Sequence, residues 1–325
     1  MELRKIQRTQ GGTFFVCLPK EWAEKNGLTR GSVVALKEAP DGRLVIDPKY
    51  EIERAPQEVV IKPSPYLDRE IIGKYLLGYD IIKVESKERI NPEDREKVKR
   101  AARRLVGLEI VEEDYARIVL QCLLEPSSLP PEKVLRREYS IAASMHRDAV
   151  TAFVDDDKHL AKNVIARDDE VNRLYFLLVR VLRTVIQNPT LGEKLGIRPI
   201  DCLDYRLTGS LVESIGDQSV QIAKKVVAHK KVGINDNLKK LVSDLHVTVY
   251  EAHETAMKAL STHNISLAES VRELQPKITD INEKIEKIVS EKENSQYVLA
   301  VVSHVNRIYE HSIDIADLVI PRLSA

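Results

Sequence analysis

The chain has 325 residues, and its 50 Lys and Arg are matched by 50 Asp and Glu. No global field draws it onto nucleic acid or a membrane surface, so any such contact has to come from a local patch. At roughly 100–200 residues per domain, the length allows two or three domains.

Cys17, Cys122 and Cys202 are far apart and show no CxxC spacing. That argues for reduced thiols in a cytoplasmic protein rather than a disulfide framework. No signal-peptide pattern opens the chain, and no apolar run approaches the roughly 20 residues of a membrane span.

Residues 1–48 alternate short apolar runs with turns. Candidate strands at Arg4–Arg8, Thr13–Leu18, Ser32–Lys37 and Arg43–Asp47 are separated by Gly11-Gly12, Gly27, Gly31 and Asp41-Gly42. Asp-Gly between such runs is a hairpin signal. Pro19 to Lys25 reads as one short helix, begun by a proline and stopped at Asn26-Gly27. A β-β-α-β-β unit of this size buries too little apolar surface alone, and dimerisation is the usual remedy.

The marks Arg4-Lys5-Ile6-Gln7, Val16-x-Leu18-Pro19-Lys20-x-Trp22, Gly27-Leu28-x-x-Gly31-Ser32 and Asp41-Gly42-x-Leu44-x-Ile46 resemble the AbrB/SpoVT/MazE family of swapped-hairpin domains. The resemblance implies an intertwined homodimer that presents basic residues to DNA. Arg4, Lys5 and Arg8, with Lys20 at the start of the helix, are where phosphate contacts are expected. The same residues are also compatible with a dimerisation unit that binds no DNA.

Residues 49–126 read as α/β. Val59–Lys62, Asp80–Glu85 and Ala116–Leu124 are candidate strands, with helices over Asp68–Leu77 and Asn91–Leu105. Asn91-Pro92 supplies an N-cap and a first-turn proline. The run Lys97, Lys99, Arg100, Arg103 and Arg104 reads as a solvated helix face, and the segment carries no functional signature. Residues 127–133 form a linker by composition.

From residue 134 onward helical periodicity takes over. Helices are expected at Val134–Val154, Lys158–Ile186, Pro199–His229, Leu238–Leu260, Ser266–Glu293 and Ser295–Ile320. This is three helices twice, an internal repeat over 134–231 and 236–325 that a pair of three-helix bundles would explain. The stripe Leu203, Leu207, Leu211, Ile215 and Ile222 is expected in the core.

Two stretches carry chemistry. Glu213-Ser-Ile-Gly-Asp217 and Glu310-His-Ser-Ile-Asp314 each place two carboxylates four residues apart on one helix face. Like charges so stacked repel, and a cation between them reverses the sign, since carboxylate oxygens suit Mg, Mn, Fe and Zn. A solvated acidic face is the alternative. His246, His253, His304 and His311 lack a tight metal-ligand spacing, and Asp155-Asp-Asp157 reads as a helix-ending turn.

Together with Leu160-Ala-Lys-x-Val164-Ile165-x-x-Asp168-x-x-Val171-Asn172, these stretches resemble the PhoU family of phosphate-uptake regulators. The resemblance implies metal ions bound through Glu213, Asp217, Asp168 and Asn172, and through Glu310 and Asp314 in the second repeat. There Asn282 and Ile278 stand where acids are expected.

The expected fold is multidomain: a small all-β swapped-hairpin N-terminal domain, a middle α/β segment, and a C-terminal all-α pair of three-helix bundles over 134–325. The expected function is a DNA-binding regulator with a metal-binding helical half, not an enzyme. The alternative is an adaptor that contacts a phosphate transporter's ATPase or a sensor kinase. A carboxylate-bridged metalloenzyme is disfavoured, because the Glu-x-x-His pairs of di-iron bundles are missing from the sequence.

Overall fold

A computed structural model describes residues 3–38, 42–48, 56–125, 128–229, 234–289 and 295–320. The chain divides into two compact units, 1–55 and 56–325.

In the first unit, β1 (Gln7–Arg8) pairs antiparallel with β2 (Phe14–Phe15), and β3 (Ala35–Glu38) with β4 (Leu44–Asp47). Helix α1 (Lys20–Lys25) lies between them in sequence and stops at Gly27, whose φ of +67° suits only glycine well. The strands are shorter than the alternating runs that announce them. Asp41 of the expected Asp41-Gly42 turn lies outside the described residues.

Among the described residues of this unit none is buried. Leu3, Ile6, Phe14, Val33, Leu36 and Leu44 are each more than 60% exposed. A chain segment of this composition does not leave its apolar side chains in water when it has an alternative.

The second unit begins with a four-stranded sheet of order β5-β6-β8-β7, formed by β5 (Glu58–Ile61), β6 (Ile81–Glu85), β7 (Leu108–Glu113) and β8 (Arg117–Cys122). β5 and β6 run parallel, joined by α2 (Leu67–Leu76), and the other pairs are antiparallel. Asn91 caps α3 (Pro92–Arg103) as expected, accepting from the Asp94 amide at 2.7 Å. β7 is the one strand that the sequence reading missed. It is an edge strand whose Leu-Glu-Ile-Val-Glu-Glu leaves only Leu108 buried, so the alternation that betrays a strand is weak.

The rest is helical: α4 (Pro131–Asp155), α5 (Lys158–Ala166), α6 (Asp168–Gln187), α7 (Pro189–Leu195) and α8 (Asp201–Ala228), then α9 (Asp236–Thr262), α10 (Ile265–Arg272), α11 (Gln275–Val289) and α12 (Ser295–Asp317). The second expected helix of each repeat is therefore two helices, broken at Arg167 and at Glu273–Leu274. Residue 126, residue 127 of the expected linker, residues 230–233 about the break between the repeats, and residues 290–294 about the end of the fifth expected helix lie outside the described residues.

The first two turns of the repeats match closely. Asp156 and His263 both take left-handed backbone, with φ of +54° and +52°. Asp157 and Asn264 then cap the following helices, accepting from the Leu160 and Leu267 amides. This is the helix-ending acidic turn expected of Asp155-Asp-Asp157. The apolar faces of the helices form one continuous core from Val134 to Ala316.

Candidate acidic site and basic surface

The site is built by three helices of the first repeat. Glu213 and Asp217 sit one turn apart on α8, and Asp168 and Asn172 sit one turn apart on α6, where the Asn172 amide donates to Asp168 at 3.3 Å. Val171 packs over Gly216, where α6 and α8 meet. Glu213 lies within the fields of Asp217 and Asp168, which add to the effect of its burial, and Asn172 is bonded to Asp168.

Sequence reading missed a fifth residue. Glu138 of α4 is fully buried, and neither of its carboxylate oxygens has a hydrogen-bond partner. One oxygen lies 3.6 Å from the position a Cβ would take on Gly209, a turn before Glu213. No local signal marks Glu138, because its neighbours lie about seventy residues away on α8.

The electrostatics follow from this crowding. Burial, then Asp217 and Asp168, push the Glu213 carboxyl up to about 7. Burial raises Asp217, and burial together with Asp217 raises Asp168. Burial and Glu213 hold Glu138 well above the usual carboxylate range. Lys224 opposes the shift at Asp168 and Asp217, and Arg206 that at Glu213 and Glu138, without cancelling it, so these acids resist ionisation.

Among the described residues no three His, Cys, Asp or Glu side chains converge closely enough to hold a metal ion as they stand. The donor set nonetheless fits a divalent cation in kind. It is all oxygen, it is rich in carboxylate, and it includes a buried carboxylate with no partner. Ligation would require side-chain rotations that mutual repulsion of the bare acids opposes.

The second repeat differs. Buried Gly216, Ser219, Ile222 and Ala223 on α8 correspond to buried Tyr309, Ser312, Ile315 and Ala316 on α12. Ser219 bonds the Ile215 carbonyl and Ser312 the Ile308 carbonyl, each at 2.8 Å. In this register Glu310 stands at the position of Asp217, Asn306 at that of Glu213, and Asp314 a turn further on, at that of Gln221. Asn306 is paired reciprocally with Asn282 at 3.1 and 3.2 Å, so an amide pair occupies the place that Glu213 holds in the first repeat. Glu310 is exposed and Ile278 is buried.

Two core expectations fail. Leu203 and Leu207 are 62% and 48% exposed, whereas Ile215 and Ile222 are buried. The stripe is continuous in sequence, but only its C-terminal members reach the core. Of the histidines, His304 is bonded to Gln218, and His246 and His253 join His146 in a chain of hydrogen bonds.

In the first unit, Arg4, Lys5, Arg8 and Lys20 are all exposed. Arg8 lies over the Phe14 ring, and Lys20 is within 3.8 Å of Glu24. Beside them Leu18, Pro19, Trp22 and Ile46 line a small open pocket.

Architecture and site thus define a protein of two three-helix repeats, one of them acid-lined, with a small β-hairpin unit in front. A PhoU domain model matches residues 135–226 and 242–319, together more than half of the chain, and the chain belongs to the PhoU family. A model described as "Antidote-toxin recognition MazE, bacterial antitoxin" matches residues 7–54.

Among solved structures, PhoU from Pseudomonas aeruginosa is 18% identical with a TM-score of 0.52, over 58% of this chain and 93% of that one. The phosphate transport system regulatory protein PhoU from Streptococcus pneumoniae is also 18% identical, with a TM-score of 0.48 over 58% of this chain and 91% of that one. No curated protein matches. Among the described residues no helix is long and apolar enough to cross a membrane.

Proposed function

We propose that the protein is a regulator of phosphate uptake rather than a catalyst, acting on DNA as a homodimer. The N-terminal unit grips operator DNA through Arg4, Lys5, Arg8 and Lys20. The first PhoU repeat takes a divalent cation (Mg, Mn, Fe or Zn) through Glu213, Asp217 and Asp168, with Asn172 as a neutral oxygen donor and Glu138 beneath them. Phosphate as the physiological signal follows from the family.

The observation that carries the cation reading is Glu138, a buried carboxylate without a partner beside three further acids. Burial and Glu213 disfavour the ionised form of Glu138, and a cation is what would compensate its charge in a donor set of this kind. The test is calorimetric titration of Mn2+ into the full chain. Glu213→Ala with Asp217→Ala is expected to abolish binding, and Glu310→Ala with Asp314→Ala to leave it. Binding that survives the first pair would refute the assignment.

One observation favours the adaptor as a second reading. Ile200, Leu203 and Leu207 form an exposed apolar stripe on the N-terminal half of α8, a surface suited to a protein partner. An adaptor would show no salt-sensitive DNA affinity.

A further inference from the structure

Helix α6 serves two neighbours. Asp168, Asn172, Phe176, Arg180 and Thr184 follow one another four apart along one ridge: Asp168 lies within the field of Asp217 on α8, whereas Phe176, Arg180 and Thr184 meet the α/β layer. Phe176 packs into that layer's core, and Gly78, with φ of +90°, closes on Thr184.

Arg180 is the polar centre of this contact, and its side chain is 3% exposed. Its guanidinium lies over the Tyr75 ring and donates to the carbonyls of Tyr75 at 2.7 Å and Tyr79 at 2.8 Å. It also donates to Asp80 Oδ1 at 3.0 Å. Asp80 uses its other oxygen to accept from the Gln57 amide at 2.9 Å. The Asp80 and Ile81 amides donate back to the Gln57 carbonyl at 2.9 and 3.1 Å. Gln57 is the second residue of the 56–325 unit, next to the point where the chain arrives from the N-terminal unit.

We propose that Arg180 is a positioning residue: it fixes Gln57, at the start of the 56–325 unit, to the helix that carries Asp168 and Asn172. This rests on the cation reading above. A cation bridging α6 and α8 replaces repulsion by attraction across that contact and draws α6 toward α8. Arg180 lies eight residues beyond Asn172, about 12 Å along one helix, and moves with it. The fork then carries the displacement through Asp80 to Gln57. A lysine has one charged head and cannot hold two carbonyls and a carboxylate in the same plane.

The test measures amide hydrogen exchange in the full chain, with and without Mn2+, on wild type, Arg180→Met, Arg180→Lys and Asp80→Asn. Mn2+ binding is measured by calorimetry on the same samples. In the wild type, Mn2+ is expected to slow exchange at Gln57, Asp80 and Ile81 by about tenfold, within the usual range of inter-site coupling. Arg180→Met and Asp80→Asn are expected to bind Mn2+ and keep the response of α8 amides, while losing the response at Gln57. Arg180→Lys should restore only part of it. A merely structural role would lower thermal stability without separating the two responses.

A Gln57 response that persists in both Arg180→Met and Asp80→Asn overturns the proposal, as does wild type that binds Mn2+ without any response there. Wild type that binds no Mn2+ overturns the cation reading, and the transmission with it; calorimetry identifies that case.

Discussion

His146 and His253 occupy equivalent positions in the two repeats, each ten residues before a left-handed helix end, and they bond to each other, Nδ1 to Nε2, at 3.2 Å. The chain of contacts continues at both ends. Tyr139 Oη lies 2.8 Å from His253 Nδ1, and His246 Nδ1 lies 3.2 Å from His146 Nε2. One proton ordering satisfies all three rings in the neutral state: Tyr139 donates to His253, His253 to His146, and His146 to His246. The helices α4 and α9, and so the two repeats, are joined by this buried polar string.

Acid is expected to weaken the joint. Burial, then Arg147, pushes His246 down to about 4. Burial, then His246, pushes His253 down to about 3, and burial with both neighbouring rings holds His146 well below the usual range. Tyr139 and Tyr250 also contact the string, and Glu254 acts on Tyr139 and Arg147. A depressed folded pKa means that the unfolded chain binds more protons below about 6.5, so stability is full above that value and falls with pH beneath it. By pH 5 the loss is on the order of 2 kcal/mol each for His246 and His253. Urea unfolding at pH 7.5 and pH 5 measures it, and equal stability at the two values would contradict the account.

Replacing Glu138 by Met removes the buried carboxylate while keeping its volume. The metal-free protein is expected to gain about 1–3 kcal/mol, because an unsatisfied buried polar group disappears. Mn2+ affinity is expected to fall in the same variant. Thermal unfolding with and without Mn2+ reads both effects, and a destabilised metal-free Glu138→Met protein would count against them.

Gly209 of α8 sits against Leu178 of α6. An added Cβ would lie 2.5 Å from Leu178 Cδ2. Gly209→Ala is therefore expected to destabilise by about 1–2 kcal/mol despite the better helix propensity of Ala. Denaturant titration showing a gain in stability would mean that the helices have more room than this.

The exposed apolar side chains of the first unit are expected to be covered by a second copy. Leu36, opposite Ile46 in the β3–β4 hairpin, is a sensitive position. Leu36→Asp should convert a dimer to a monomer in light scattering at micromolar concentration. Trp22, the only tryptophan of the chain, should shift its emission to the red as its pocket opens. A monomeric wild type would refute the shared core.

The sequence discloses the helices, the repeat and the first acidic face, because each rests on a local period. It discloses the register of the second repeat less well. Asn306, Glu310 and Asp314 fall four apart, so two acidic pairings look alike until burial chooses between them. A signal was available in Gln221-Ile222-Ala223 against Asp314-Ile315-Ala316, which already aligns Glu310 with Asp217. Glu138, His146 and Arg180 act through partners roughly 70 to 110 residues away, and no periodicity in their own helices marks them. Leu203 and Leu207 continue in sequence a stripe that Ile215 and Ile222 carry into the core.

The central claim, that the N-terminal unit works on DNA, is tested most directly by affinity across a salt series. The full-length protein is compared with an Arg4→Ala, Lys5→Ala, Arg8→Ala variant on the DNA upstream of its own gene. The account predicts a steep loss of affinity with salt in the wild type and a slope lower by about three in the variant, one for each phosphate contact removed. Equal, weak binding by both proteins, without preference for that DNA over an unrelated duplex, would contradict it.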